Sequence, residues 1–152
     1  MAITRQEARE SILGELESAI DQLAISVAGF GDAFELLSVG AADRLEAELF
    51  RPVQKAYATA KRTHTGFAAR VGLPADAETK PEPGAPSQGV KGFVLGAVAA
   101  SGRADQILAE LQDTMLPVES GDAELRAGLS EVRELLATVP NAAREFARGL
   151  GR

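Results

Sequence analysis

The sequence predicts an all-α protein, a four-helix bundle built from two antiparallel helical hairpins, and three observations carry that reading. Apolar residues recur at alternating steps of three and four along four long stretches, the spacing of a helix face that packs against other helices. Strong helix formers dominate, aromatic residues make up only 5%, and no stretch shows the period-two alternation of a strand. Proline and glycine cluster between the stretches, where helices should stop.

The first helix is expected to open at Thr4, with Glu7 three residues on as in a capping box. Its apolar series is Leu13, Leu16, Ile20, Leu23, Val27, Phe30, Phe34 and Leu37. Gly29 and Gly31 lie inside that series, and each costs a helix about 1 kcal/mol relative to Ala, so a weak point is expected there. Ser38-Val39-Gly40 reads as a short turn. The second helix should start near Ala41 or Asp43 and present Leu45, Leu49, Val53, Ala56, Ala60, Phe67 and Val71 on one face. Pro52 should kink it by removing a backbone donor and crowding the preceding turn. Gly72-Leu73-Pro74 is a stop signal.

Residues 75–88 differ in character, with three prolines, a glycine and almost no large apolar side chains. Such a stretch reads as a flexible, solvated linker, and at about 3.3 Å per residue it could extend ~45 Å. A third helix follows from about Ser87 or Gly89 to Met115, with Val90, Val94, Ala97, Ser101, Ala104, Leu108, Leu111 and Met115 on its core face. Asp122 is a candidate cap for a fourth helix that presents Leu125, Leu129, Val132, Leu136 and Val139. Pro140 interrupts it, yet Ala143, Phe146 and Leu150 keep the spacing, so either the helix kinks near Pro140 or a short fifth helix follows. Short turns inside hairpins 4–72 and 89–150 imply antiparallel neighbours, and the expectation is one domain over 1–152.

Bulk properties narrow the function. A domain of 152 residues buries roughly 68–70% of its unfolded surface and needs no covalent staple. The absence of cysteine removes disulfides, thiol nucleophiles and Cys-based metal centres, and it fits a reducing compartment. A formal charge of −6 lacks the basic field of a nucleic-acid binder, so none is expected as a partner. The charged stretch after Met1-Ala2-Ile3 does not resemble a signal peptide, and no apolar run approaches the ~20 residues of a membrane span. A cytoplasmic protein without a transmembrane segment is the expectation.

No constellation for chemistry emerges. His64 is the only histidine, and the positions one helical turn away hold Ala60, Lys61, Phe67 and Ala68, none of which orients an imidazole as a carboxylate would. It reads as an ordinary residue at the edge of the apolar face. The Glu-x-x-His pairs of bundle di-metal sites are missing. Haem held by His64 and Met115 is formally open, but Met115 falls on a core position and reads as packing. Glycines around Lys91 lack the spacing and the preceding strand of a phosphate-binding loop. No catalytic residue, metal or cofactor is assigned, and an enzyme is not expected.

Two helix faces remain as interaction candidates. Residues 51–72 carry Arg51, Lys55, Lys61, Arg62 and Arg70 without an acid, whereas residues 7–48 hold ten acids against Arg9 and Arg44. Arg51, Lys55 and Arg62 should face outward, and the basic helix should complement its acidic hairpin partner. On the third helix Gly92 and Gly96 sit among Phe93 and Leu95, which fall off the main seam and widen the apolar arc. Glycine there implies a close neighbour, first another helix of the same bundle and next a second subunit. The functional expectation is a non-enzymatic interaction module with a protein partner, including itself as a homodimer; the alternative is a bundle that holds an apolar small molecule, lipid or haem between its helices.

Overall fold

The computed structural model describes residues 3–75 and 89–150, and all regular structure among them is helical. In chain order the elements are α1 (Arg5–Leu36), α2 (Val39–Leu45), a π-helical turn (Glu46–Phe50), α3 (Arg51–Val71), α4 (Gly89–Asp113), α5 (Leu116–Glu119), α6 (Ala123–Ala137) and α7 (Val139–Leu150). The linker expected over 75–88 lies outside the described residues except for Ala75.

Caps set the helix ends much as their residue types require. The Thr4 hydroxyl accepts from the Glu7 backbone N–H at 3.0 Å and donates to the Glu7 carboxylate at 2.9 Å. Gly72 ends α3 in the left-handed conformation, with φ +70°, and the Leu73 N–H reaches back to the Ala68 carbonyl at 2.9 Å. Asp122 caps α6 by accepting from the Leu125 N–H at 2.8 Å.

Prolines act differently from the simple kinks expected. The chain stays helical through Pro52, and the irregularity lies just upstream, where the Arg51 N–H bonds to the Glu46 carbonyl five residues back. Pro52 has no N–H for the Glu48 carbonyl and its ring would crowd it; a widened turn before it relieves both. The turn also carries Phe50 onto α1, where its ring lies 6.3 Å from Phe30 and 6.4 Å from Phe34. At Pro140 the fifth-helix alternative holds: α6 stops at Ala137, and α7 starts at Val139 with Pro140 in its first turn. The turn expected over Ser38-Val39-Gly40 is shorter, because α2 already starts at Val39.

The core position expected for Met115 needs correction. Helix α4 ends at Asp113, because Pro117 could give the Asp113 carbonyl no hydrogen bond. The Met115 N–H bonds instead to the Gln112 carbonyl at 3.3 Å, its φ is +67°, and its side chain is 49% exposed. Pro117 is buried at this end, with Leu116 packed against the core.

Helix α1 packs along α4 and along α3, α3 packs on α6, and α4 meets α6. Between α1 and α4 residue numbers rise on one helix as they fall on the other. Arg103 Nε donates to Gln22 Oε1 at 2.8 Å, and the buried Ser26 hydroxyl donates to the Ala97 carbonyl at 2.7 Å. At Gly29 a Cβ would lie 3.0 Å from Ala97 Cβ and 3.1 Å from the Phe93 carbonyl oxygen. At Gly29 the expected weak point in α1 is thus a place of close approach by α4. Between α3 and α6 the same opposition appears, with Arg70 joined to Asp122 and Thr63 pressed against the bare backbone of Gly128.

The seams form the interior: Leu16, Leu23 and Phe30 of α1, Val53 and Phe67 of α3, Leu108 of α4 and Leu129 of α6 are fully buried. Substitution of Gly29 by Val should lower the free energy of unfolding by about 1–3 kcal/mol, the usual cost of overpacking. Gly14→Ala, where nothing lies within 4 Å of the new methyl group, should instead stabilise by about 0.5–1 kcal/mol. Urea denaturation of the two variants checks both signs.

Candidate functional site

The α3 seam buries His64 between Ala60 and Phe67, and only 2% of the residue is exposed. It is a core residue rather than one at the edge of the apolar face. Its polar surroundings come from α1, as the Leu13 backbone carbonyl and the charge of Glu17. The ring donates to the Leu13 carbonyl, and Nε2 has no hydrogen-bond partner among the described residues. The donor is therefore Nδ1–H, which fixes the neutral tautomer and leaves Nε2 as a bare acceptor. Burial pushes the His64 pKa below the ordinary 6.5, against the opposing pull of the Glu17 charge and the Leu13 carbonyl.

His64 lines a cleft of about 290 Å³ with Glu10, Leu13, Gly14 and Glu17 of α1 and with Leu73 and Pro74 just past α3. Glu10, Gly14 and Glu17 are four and three residues apart, one stripe of α1 beside its seam. That stripe is visible in the sequence. What the sequence does not reveal is that the stripe faces His64, since a main-chain carbonyl leaves no residue-type signal.

The basic face of α3 is in part as expected. Arg51, Lys55 and Arg62 are exposed. Arg51 pairs with Glu46 of the preceding turn at 3.8 Å, and Arg62 donates to the Thr59 hydroxyl at 3.2 Å. Arg70 does not answer the acids of α1. It forms a two-pronged pair with Asp122 at 2.7 and 2.9 Å and reaches Glu124 at 2.9 Å, so it ties α3 to the cap of α6. The hydrogen bond from Arg70 is the main cause that holds the Asp122 carboxyl below its ordinary pKa, and the same bond raises that of Arg70.

On α4 the four singled-out residues separate. Phe93 is buried and belongs to the core, because contact with α1 at Gly29 turns it inward. Gly92 is half-buried. Leu95 is 59% exposed, and nothing lies within 4 Å of the Cβ that Gly96 lacks. Leu95, Ala99 and Arg103 are four residues apart, and Ile25 lies one turn beyond Gln22, the hydrogen-bond partner of Arg103. Ile25 is 40% exposed, so an apolar strip borders the α1–α4 seam.

No protein-family model, curated protein or solved structure matches the chain. Function has to be argued from the sites themselves. Among the described residues no group of three His, Asp or Glu side chains is placed to hold a metal ion, and no helix is long and apolar enough to cross a membrane.

His64 gives a pH signature with a defined sign. Its folded pKa is depressed, so the unfolded chain binds the proton more readily, and stability present above pH 6.5 is lost as the pH falls through that value. The slope is bounded at about 1.4 kcal/mol per pH unit for one proton. Unfolding midpoints in urea should fall on acidification below 6.5 in the native protein and stay nearly level in His64→Gln. Asp122 acts in a separate window, because its stabilisation is lost only below the ordinary 3.8. Equal slopes in both proteins near pH 6 would contradict this assignment.

Proposed function

We propose that the chain is a single four-helix-bundle domain made of two antiparallel hairpins, 4–72 and 89–150, and that it works as a non-enzymatic interaction module. Its partner in this reading is a second copy of itself, bound through the outer face of α4. The bundle is supported by the closed circuit of contacts from α1 to α3, α3 to α6, α6 to α4 and α4 back to α1. A chain free of cysteine agrees with the cytoplasm as its location.

The observation that carries the interface is Leu95, 59% exposed beside Gly96 and one turn from Ala99. Mid-helix glycine costs about 1 kcal/mol relative to Ala, and at Gly96 and Gly102 no neighbour among the described residues uses the space. A two-fold axis near Gly96 would let Leu95 of each copy lie over the small residues of the other, since an isologous patch must fit itself. Ile25 would extend the contact onto α1. An apolar ligand held between the helices is less well supported, because the interior is occupied by large buried side chains such as Phe30, Phe67 and Leu108.

Sedimentation velocity over a range of concentrations should show a dimer that Leu95→Asp converts to monomer, with an unchanged helical circular dichroism spectrum. Because Leu95 is exposed, the substitution leaves the core intact. A native protein that stays monomeric at millimolar concentration would remove self-association from the reading.

A further inference from the structure

Helix α3 carries a second heptad series on the side away from its core seam. Arg51, Lys55, Ala58, Arg62, Thr65 and Ala69 follow one another at alternating steps of four and three, and all are exposed except the half-buried Ala58. None of the described helices covers this face. A shallow cleft of about 630 Å³ along it is lined by Ala58, Lys61, Arg62, Thr65 and Gly66, whose charged groups are both cations. Among the described residues Lys55, Lys61 and Arg62 form no ion pair. Lys61 lies 4.4 Å from the centre of the Tyr57 ring, and Arg62 gives one of its five donors to Thr59. Arg51 meets Glu46 only at 3.8 Å, with both side chains exposed.

We propose that this face docks an acidic amphipathic helix of a different protein, one whose carboxylates repeat at steps of four and three. From Arg51 to Thr65 the ridge runs about 21 Å at 1.5 Å per residue, roughly four turns of such a helix. The small side chains of Ala58 and Thr65 let a backbone approach, and the Lys and Arg stems lie along it. The ridge is narrow, since Glu124 and Glu131 of α6 share a neighbouring cleft with Arg62. A membrane surface or a nucleic-acid backbone would meet those acids together with the cations, whereas a single helix is only about 10 Å across. The same face of a second copy is no partner, because an isologous contact would set cation against cation.

The test is an NMR titration of the full chain with a capped alanine-based peptide of about 18 residues, long enough to form a helix and to match the ridge. Its glutamates repeat at steps of four and three; a control peptide of equal composition spreads them around the helix. Amide signals of residues 51–65 should shift saturably. The control should bind about tenfold more weakly, since three exposed ion pairs each contribute a factor of about two. Lys55→Glu combined with Arg62→Glu should weaken the striped peptide about as much. Both side chains are exposed, so the variant folds, and its helical circular dichroism confirms that. Equal binding of the two peptides, no saturable shift, or indifference to the double substitution overturns the proposal. So does tighter binding of single-stranded DNA or of phosphatidylserine vesicles, or self-association at low salt that the double substitution abolishes. Dimerisation through α4 is read separately, by Leu95→Asp.

Discussion

Helix α1 runs for 32 residues with two of its sides buried, and the other helices are placed by which side they cover. A heptad seam alone would bury one narrow stripe. Here Ile12, Ala19, Ala24, Ser26 and Ala33 are buried alongside the seam residues, because α4 lies on one side of α1 and α3 on the other. At Gly29 the main chains of α1 and α4 come close enough that a Cβ would crowd the Phe93 carbonyl. A bare backbone at that level lets Ser26 reach the Ala97 carbonyl, so the one buried hydroxyl of α1 is satisfied by the helix that crowds it.

Lengths explain the far end of the molecule. Helix α1 covers about 48 Å at 1.5 Å per residue, whereas the 15 residues of α6 cover only about 22 Å. The remainder of the groove is filled by α7, which packs on the π-helical turn and on α4 with Phe146 buried. Pro140 forces the division between α6 and α7, and Pro52 forces the widened turn that α7 meets. Two prolines on different helices thus shape one contact.

Much of the fold was legible because it rests on side-chain periodicity. The four seams, the Thr4 and Asp122 caps and the Gly72 stop all follow from residue type and spacing. The features that were not legible depend on the partner of a group rather than on its own spacing. Met115 keeps the heptad step yet leaves the core, since Pro117 stops the helix first. Phe93 is off the seam yet buried, since α1 comes close enough at Gly29 to widen the covered arc. Arg70 belongs to the basic run expected to complement the acidic α1, but its carboxylate partners sit at the start of α6, beyond any local pattern. Of the candidate site, the Glu10–Gly14–Glu17 stripe could be read from the sequence, whereas its meeting with His64 could not.

That meeting sets how the cleft and the core constrain each other. His64 occupies a seam position, so moving it outward would open the α1–α3 contact, and leaving it inward strands one ring nitrogen. The Leu13 carbonyl resolves half of the difficulty by taking Nδ1–H, and in doing so determines that the stranded nitrogen is an acceptor. Protonation would supply Nε2 with a hydrogen but place a charge where water does not reach, and burial outweighs the Glu17 attraction. The ring therefore stays neutral, and one buried acceptor is the cost of keeping a histidine on this seam.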